Sequence, residues 1–78
     1  MTDTDNKAFD PYLRRRLADH VRRLRLKKGT SQELLSVECG FHRTYVSQIE
    51  RAATNITLDN LQKLALGLEV DPSELLSR

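Results

Sequence analysis

Residues 31–51, SQELLSVECGFHRTYVSQIER, hold two short amphipathic helical patterns separated by a glycine. Ser31 stands where its hydroxyl can accept an orphan amide of a first helical turn, while Gln32 and Glu33 add helix formers and an acid at the positive end of the helix. Leu34, Leu35 and Val37 are expected to form the core face of this first pattern. Gly40 stops it, because glycine enters the left-handed region without steric cost, and Phe41 is then expected to turn inward as a core plug. The second pattern begins near His42. In it Val46 and Ile49 lie three apart and share one face, which leaves Arg43, Thr44, Ser47, Gln48 and Arg51 as donors, acceptors and charge on the other.

On the N-terminal side, the polar residues 1–9 read as a flexible arm in which Phe9 is the one residue expected to be anchored. Residues 10–78 form the domain. Asp10 and Pro11 read as N-cap and first position of an opening helix, in which Leu13, Leu17, Val21 and Leu24 make an apolar stripe until Gly29 ends it. On the C-terminal side, 52–56 is a loop, and Thr57 caps a helix expected to turn Leu58, Leu61, Leu64, Ala65 and Leu68 inward. Gly67 weakens the last turn of that helix. Asp71, Pro72 and Glu74 form a capping box that opens a short final helix carrying Leu75 and Leu76. The expected architecture is all-α, with five helices and no strand.

Seventy-eight residues make one small domain. Such a chain buries only about two-thirds of its unfolded surface, so self-association would help it. One cysteine excludes an internal disulfide and suits a reducing compartment. The absence of a long apolar run or a signal-peptide core leads us to expect a cytoplasmic protein without membrane partners. The net charge is +2, but residues 1–28 carry nine Lys or Arg against four acids, and residues 29–78 carry four against seven. This basic segment suits a polyanion or is a solvated helix face. Catalysis has little support, since His20 and His42 sit on different elements with no partnered nucleophile. Cys39 lacks metal-ligand spacing and reads as a small buried hydrophobe. No cofactor, metal or small-molecule ligand is expected.

The words KGTSQELL (28–35), CGFHRTYVSQIER (39–51), TLDNLQKLA (57–65) and DPSELL (71–76) resemble the Cro/C1-type (XRE) helix-turn-helix DNA-binding family. With the Arg22, Leu24, Arg25 end of the first helix, the resemblance covers roughly residues 17–76. RTYVS, the loop NITL and GLEV look most like the controller proteins of restriction-modification systems. The resemblance implies a five-helix lambda-repressor-like domain whose third helix enters the major groove. Two departures stand out. Ser36 replaces a frequent alanine and suggests a slightly polar contact between the second and third helices. Glu69 replaces a frequent glycine and suggests a different C-cap before Val70.

Geometry and resemblance together place Arg43, Thr44, Ser47 and Gln48 on base edges, where each base pair shows a distinct pattern of donors and acceptors. Arg43 can fork onto guanine or anchor a phosphate. Ser31 and Gln32 fall where the family holds a phosphate at the start of the second helix, the alternative for Gln32 being a plain helix former. Tyr45 can pack its ring under the helix while its hydroxyl reaches backbone, the alternatives being a phosphate contact and a pure core role, and Arg51 and Asn55 lie past the reading turn, at phosphate positions. The resemblance also pairs Arg25 with Glu50 to orient the recognition helix. Leu75 and Leu76 are expected at a homodimer seam, because a helix so short cannot bury both faces in its own domain. Such a seam would set the recognition helices about 34 Å apart, one turn of double-stranded DNA. The expected function is a non-enzymatic, homodimeric transcription regulator on a pseudo-palindromic operator, an autoregulatory controller of a restriction-modification system whose sites include its own promoter. The alternatives are a phage-type repressor, an antitoxin of a toxin-antitoxin pair, or a protein-interaction adaptor that does not bind DNA.

Overall fold

A computed structural model of the chain describes residues 9–78, and the expected flexible arm, apart from Phe9, lies outside them. Phe9 itself is largely exposed rather than anchored. The described residues form four α-helices, α1 (Tyr12–Lys28), α2 (Gln32–Glu38), α3 (Tyr45–Glu50) and α4 (Leu58–Leu68), followed by one 3-10 turn (Pro72–Leu75). No strand occurs among them. The fifth helix expected from sequence is therefore this single turn.

Its capping box forms as expected, the Asp71 side chain accepting from the Ser73 amide and Glu74 Oε2 from the Asp71 amide. The caps expected at Ser31 and Thr57 and the glycine stops also hold. Ser31 Oγ accepts from Leu34 N at 3.0 Å, and Thr57 Oγ1 from Asn60 N at 3.1 Å. Gly29 and Gly40 both adopt left-handed backbone. At the start of α1 the outcome differs: Pro11 occupies the cap position, Tyr12 N donates to Asp10 O, and the Asp10 carboxylate is drawn away into an exposed ion pair with Arg15.

Every element contributes to one core: Leu17 and Val21 from α1, Leu35 from α2, Val46 and Ile49 from α3, Leu61, Leu64 and Leu68 from α4, and Leu75 from the last turn. Within α2 the inward face is Leu35, Ser36 and Cys39, whereas Leu34 and Val37 point out, Val37 being 61% exposed. Seven residues give fewer than two full turns, so neighbouring apolar positions compete for one inward direction. Leu58 is 82% exposed and Leu13 nearly half exposed, so neither belongs to the core stripe expected of it. Phe41 is half-buried and meets Tyr45 edge to face with centroids 4.7 Å apart.

Two contacts fix the relation of α2 to its neighbours. Ser36 Oγ is fully buried, donates to Gln32 O and accepts from Val46 N at 3.0 Å, so it clips the first turn of α3 onto α2. The polar contact suggested by Ser36 is thereby located. Cys39 packs against Gly67 so closely that a Cβ there would collide with its Sγ. Burial, with help from Glu38, raises the Cys39 thiol above its ordinary pKa. The role of Gly67 is close approach of α4 to α2, beyond the weakening of a last turn. Glu69 caps α4 in left-handed backbone at φ 60°, ψ 42°, where the sequence pointed to an altered cap.

Candidate nucleic-acid interface

The C-terminal end of α1, the N-terminal end of α2 and the turn entering α3 converge on one open groove lined by Arg22, Ser31, Gln32, Arg43, Thr44 and Ser47. Arg43 and Thr44 are exposed, and Ser47 and Gln48 are half-buried on the outer side of α3. Val46 and Ile49 anchor the opposite side in the core. The helix begins three residues later than its sequence pattern. His42, Arg43 and Thr44 form a turn closed by Tyr45 N donating to His42 O at 2.9 Å. Two of the base-reading candidates therefore sit on this turn rather than on the helix.

Beneath the groove lies the ion pair expected of Arg25 and Glu50. Arg25 Nε donates to Glu50 Oε2 at 2.6 Å and its terminal nitrogen to Oε1 at 3.0 Å, a two-pronged arrangement, while its other nitrogen holds Thr30 O. The Glu50 side chain is 2% exposed and that of Arg25 12%. Burial acts to raise the pKa of Glu50, but hydrogen bonds from Arg25 and Gln32 and the charges of Arg25 and Arg22 outweigh it and hold the carboxyl below its ordinary range. The same hydrogen bond to Glu50 raises Arg25. Thus α1 and the last residue of α3 are joined by a charge-assisted fork, which fixes the rotation of α3 about its axis.

Gln32 takes part in that network, donating through Nε2 to Glu50 Oε1 at 3.0 Å. An amide nitrogen has two hydrogens, so one remains for the groove. Tyr45 packs its ring on Phe41, and its hydroxyl accepts from Asn60 Nδ2 at 3.2 Å. Arg51 lies outside the groove and donates to Ser47 Oγ. Asn55 sits in a separate cleft with Phe9, Tyr12 and Leu13. Arg22 escaped the sequence reading as a site residue. Its signal was the basic end of α1, and only the fold shows that this end meets Arg43.

The seam expected at Leu75 is corrected by packing. Leu75 is fully buried within the single chain, against α1 and α4, and Leu76 is half-buried. Arg16 donates to Leu76 O and His20 to Ser77 O, so α1 holds the closing turn in place. A short helix can bury its apolar residues at home when a longer one lies across it. Among the described residues no helix is long and apolar enough to cross a membrane.

The Helix-turn-helix family pattern matches residues 21–75. The control protein C.BamHI of Bacillus amyloliquefaciens is 51% identical over 57 residues, covering 72% of this chain and 70% of that protein. The crystal structure of the hypothetical transcription factor NHTF from Neisseria superposes with a TM-score of 0.81 at 48% identity, covering 83% of this chain and 75% of that one. The restriction-modification controller protein C.Esp1396I, solved as a tetramer with its natural 35 base-pair operator, superposes with a TM-score of 0.74 at 32% identity and covers 87% of this chain and 100% of that one. Variants of that controller solved separately replace three consecutive residues, an arginine, a threonine and a tyrosine.

Proposed function

The chain belongs to the helix-turn-helix family of DNA-binding transcription regulators, and on that premise we propose that it is the controller of a restriction-modification system, binding a pseudo-palindromic operator at its own promoter as a homodimer. The observation that carries this reading is the groove where the exposed Arg43 and Thr44 and the half-buried Ser47 stand beside Arg22, Ser31 and Gln32. Base-edge readers and phosphate holders adjoin there, as an operator requires. The controller solved with its operator supports the reading through its replaced arginine, threonine and tyrosine, which match the order Arg43, Thr44, Tyr45 here.

In this reading Arg43 forks onto guanine, Thr44 meets a thymine methyl or accepts a hydrogen bond, and Ser47 and Gln48 complete the set of base contacts. Ser31, Gln32 and Arg22 hold phosphates at the groove wall, and Tyr45, Arg51 and Asn55, which lie outside the groove, hold phosphates beyond it. The Arg25–Glu50 fork orients the helix. For the homodimer, the support is apolar surface left uncovered by one chain: Phe9, Tyr12 and Leu13 at the start of α1, and Leu58 at the start of α4. Sedimentation of Leu13→Glu and Leu58→Glu as monomers, with helical content unchanged, would bear out that seam; two unchanged dimers would place it elsewhere. The reading places the protein in the cytoplasm, with DNA.

Selection of bound duplexes from a random pool, followed by footprinting at the gene's own promoter, tests the function directly. A symmetric site recovered from both is expected, and recovery of no sequence overturns the reading. Arg43→Ala and Gln48→Ala should lose about 1 to 3 kcal/mol on that site and little on random DNA. Gln32→Ala should weaken all sequences alike. Equal losses for Arg43→Ala on both DNAs would reduce Arg43 to a phosphate anchor.

A further inference from the structure

His42 stands exposed at the turn before α3, and neither the core nor the ion-pair network uses its ring. Its Nδ1 lies 3.3 Å from the Thr44 backbone nitrogen and 2.9 Å from Thr44 Oγ1. A backbone amide only donates, so Nδ1 presents its lone pair and the ring of a neutral imidazole carries its hydrogen on Nε2. The Thr44 hydroxyl faces the same unprotonated nitrogen, so it donates as well. A threonine hydroxyl has one hydrogen and two lone pairs. Once that hydrogen is directed at His42, Thr44 has only an acceptor and a methyl group left for the groove.

We propose that His42 is a specificity-determining positioning residue, which fixes the hydrogen-bonding polarity of Thr44 and thereby the bases Thr44 accepts. An acceptor with a methyl suits the exocyclic amino group of adenine or cytosine and the thymine methyl. It disfavours guanine, whose major-groove edge carries two acceptors. A threonine with a free hydroxyl rotor would accept all four bases, since it could donate or accept as needed. The proposal rests on the operator reading above, and its consequence is that a residue which need not touch a base narrows the site at the position Thr44 faces.

The test uses the full chain in two measurements. Nitrogen-resolved NMR of the His42 ring in the free protein should show an unprotonated Nδ1 and a protonated Nε2; a protonated Nδ1 would reverse the polarity and overturn the proposal. Fluorescence anisotropy then compares wild type, His42→Ala, His42→Asn, Thr44→Val and the double variant His42→Ala/Thr44→Val on the selected operator, its single-base variants and random duplex. His42→Ala should lose roughly tenfold of discrimination at one base pair, the one at which Thr44→Val also acts, with random affinity unchanged. His42→Asn should restore it, because an asparagine oxygen has two lone pairs and can accept from both the Thr44 amide and the Thr44 hydroxyl. The double variant should match Thr44→Val alone, since His42 acts through that hydroxyl. Equal losses on operator and random DNA would make His42 a phosphate contact, and additive losses would make it independent of Thr44; either result overturns the proposal. If wild type discriminates and His42→Ala discriminates as well, the role of His42 falls while the operator reading stands. If wild type binds every sequence alike, the operator reading falls and takes this role with it.

Discussion

Two buried polar side chains carry consequences out of proportion to their size. Glu50 has its carboxylate held by Arg25 and Gln32 at 2% exposure, so removing it strands a nearly buried guanidinium. Glu50→Ala should cost about 3 to 5 kcal/mol, much of the stability of a small domain. Thermal melts would show it, and a variant within about 0.5 kcal/mol of wild type would mean that Arg25 relaxes into solvent. The same pair sets an acid limit. Because the folded pKa of Glu50 lies below its unfolded value, the contribution is fully present above the ordinary carboxylate range and is lost as pH falls through the depressed value. Urea midpoints measured downward from neutral pH should therefore fall in that window for wild type and fall less for Glu50→Gln. Ser36 works by geometry alone: Ser36→Ala leaves the Val46 amide without its acceptor and should cost about 1 to 3 kcal/mol. Amide exchange at Val46 should rise in step, and unchanged protection would show that another acceptor takes over.

Most helix ends were legible because capping is local, the starts of α1 and α3 excepted. Ser31, Thr57, Asp71, Gly29 and Gly40 each act within a few residues of their own position. What stayed hidden depends on partners distant in the chain. Nothing near Leu34, Leu35 and Val37 says which of them faces inward, and Leu75 is buried by α1, more than fifty residues earlier. Arg43, Thr44, Ser47 and Gln48 were readable from spacing together with the family resemblance, and Ser31 and Gln32 from the resemblance, whereas Arg22 and His42 needed the fold and the turn. At this scale the junction of α4 with α2 gives a further prediction. Gly67→Ala should destabilise despite the better helix propensity of alanine, since its Cβ meets Cys39 Sγ. In a Cys39→Ala background the same change should instead stabilise by about 1 kcal/mol. If both backgrounds respond alike in denaturant titrations, the contact is not the cause. Glu69→Gly should also stabilise, by about 1 kcal/mol, because the left-handed cap favours glycine and the exposed Lys28 contact it gives up is weak.

For the molecule as a whole, a core assembled from every element leaves no part able to persist alone. Leu75→Glu places a charge in that core and should abolish folding rather than dissociate a dimer, as loss of the helical circular-dichroism signal would show. A folded monomer carrying this substitution would return Leu75 to the interface. Operator binding should weaken steeply with salt, each neutralised phosphate contributing roughly −0.9 to the slope of log affinity against log salt. A flat titration would count against contact with duplex DNA.

The recognition helix is only six residues long and fastens to the core through Val46 and Ile49. Its attachment and its vocabulary are thus written in different letters. Arg43, Thr44, Ser47 and Gln48 can be exchanged while those two anchors, the Ser36 clip and the Arg25–Glu50 fork continue to hold the frame. On the proposed reading of those four side chains, new operators are reachable with little loss of fold, and a library randomised at these positions offers a compact route to altered regulators.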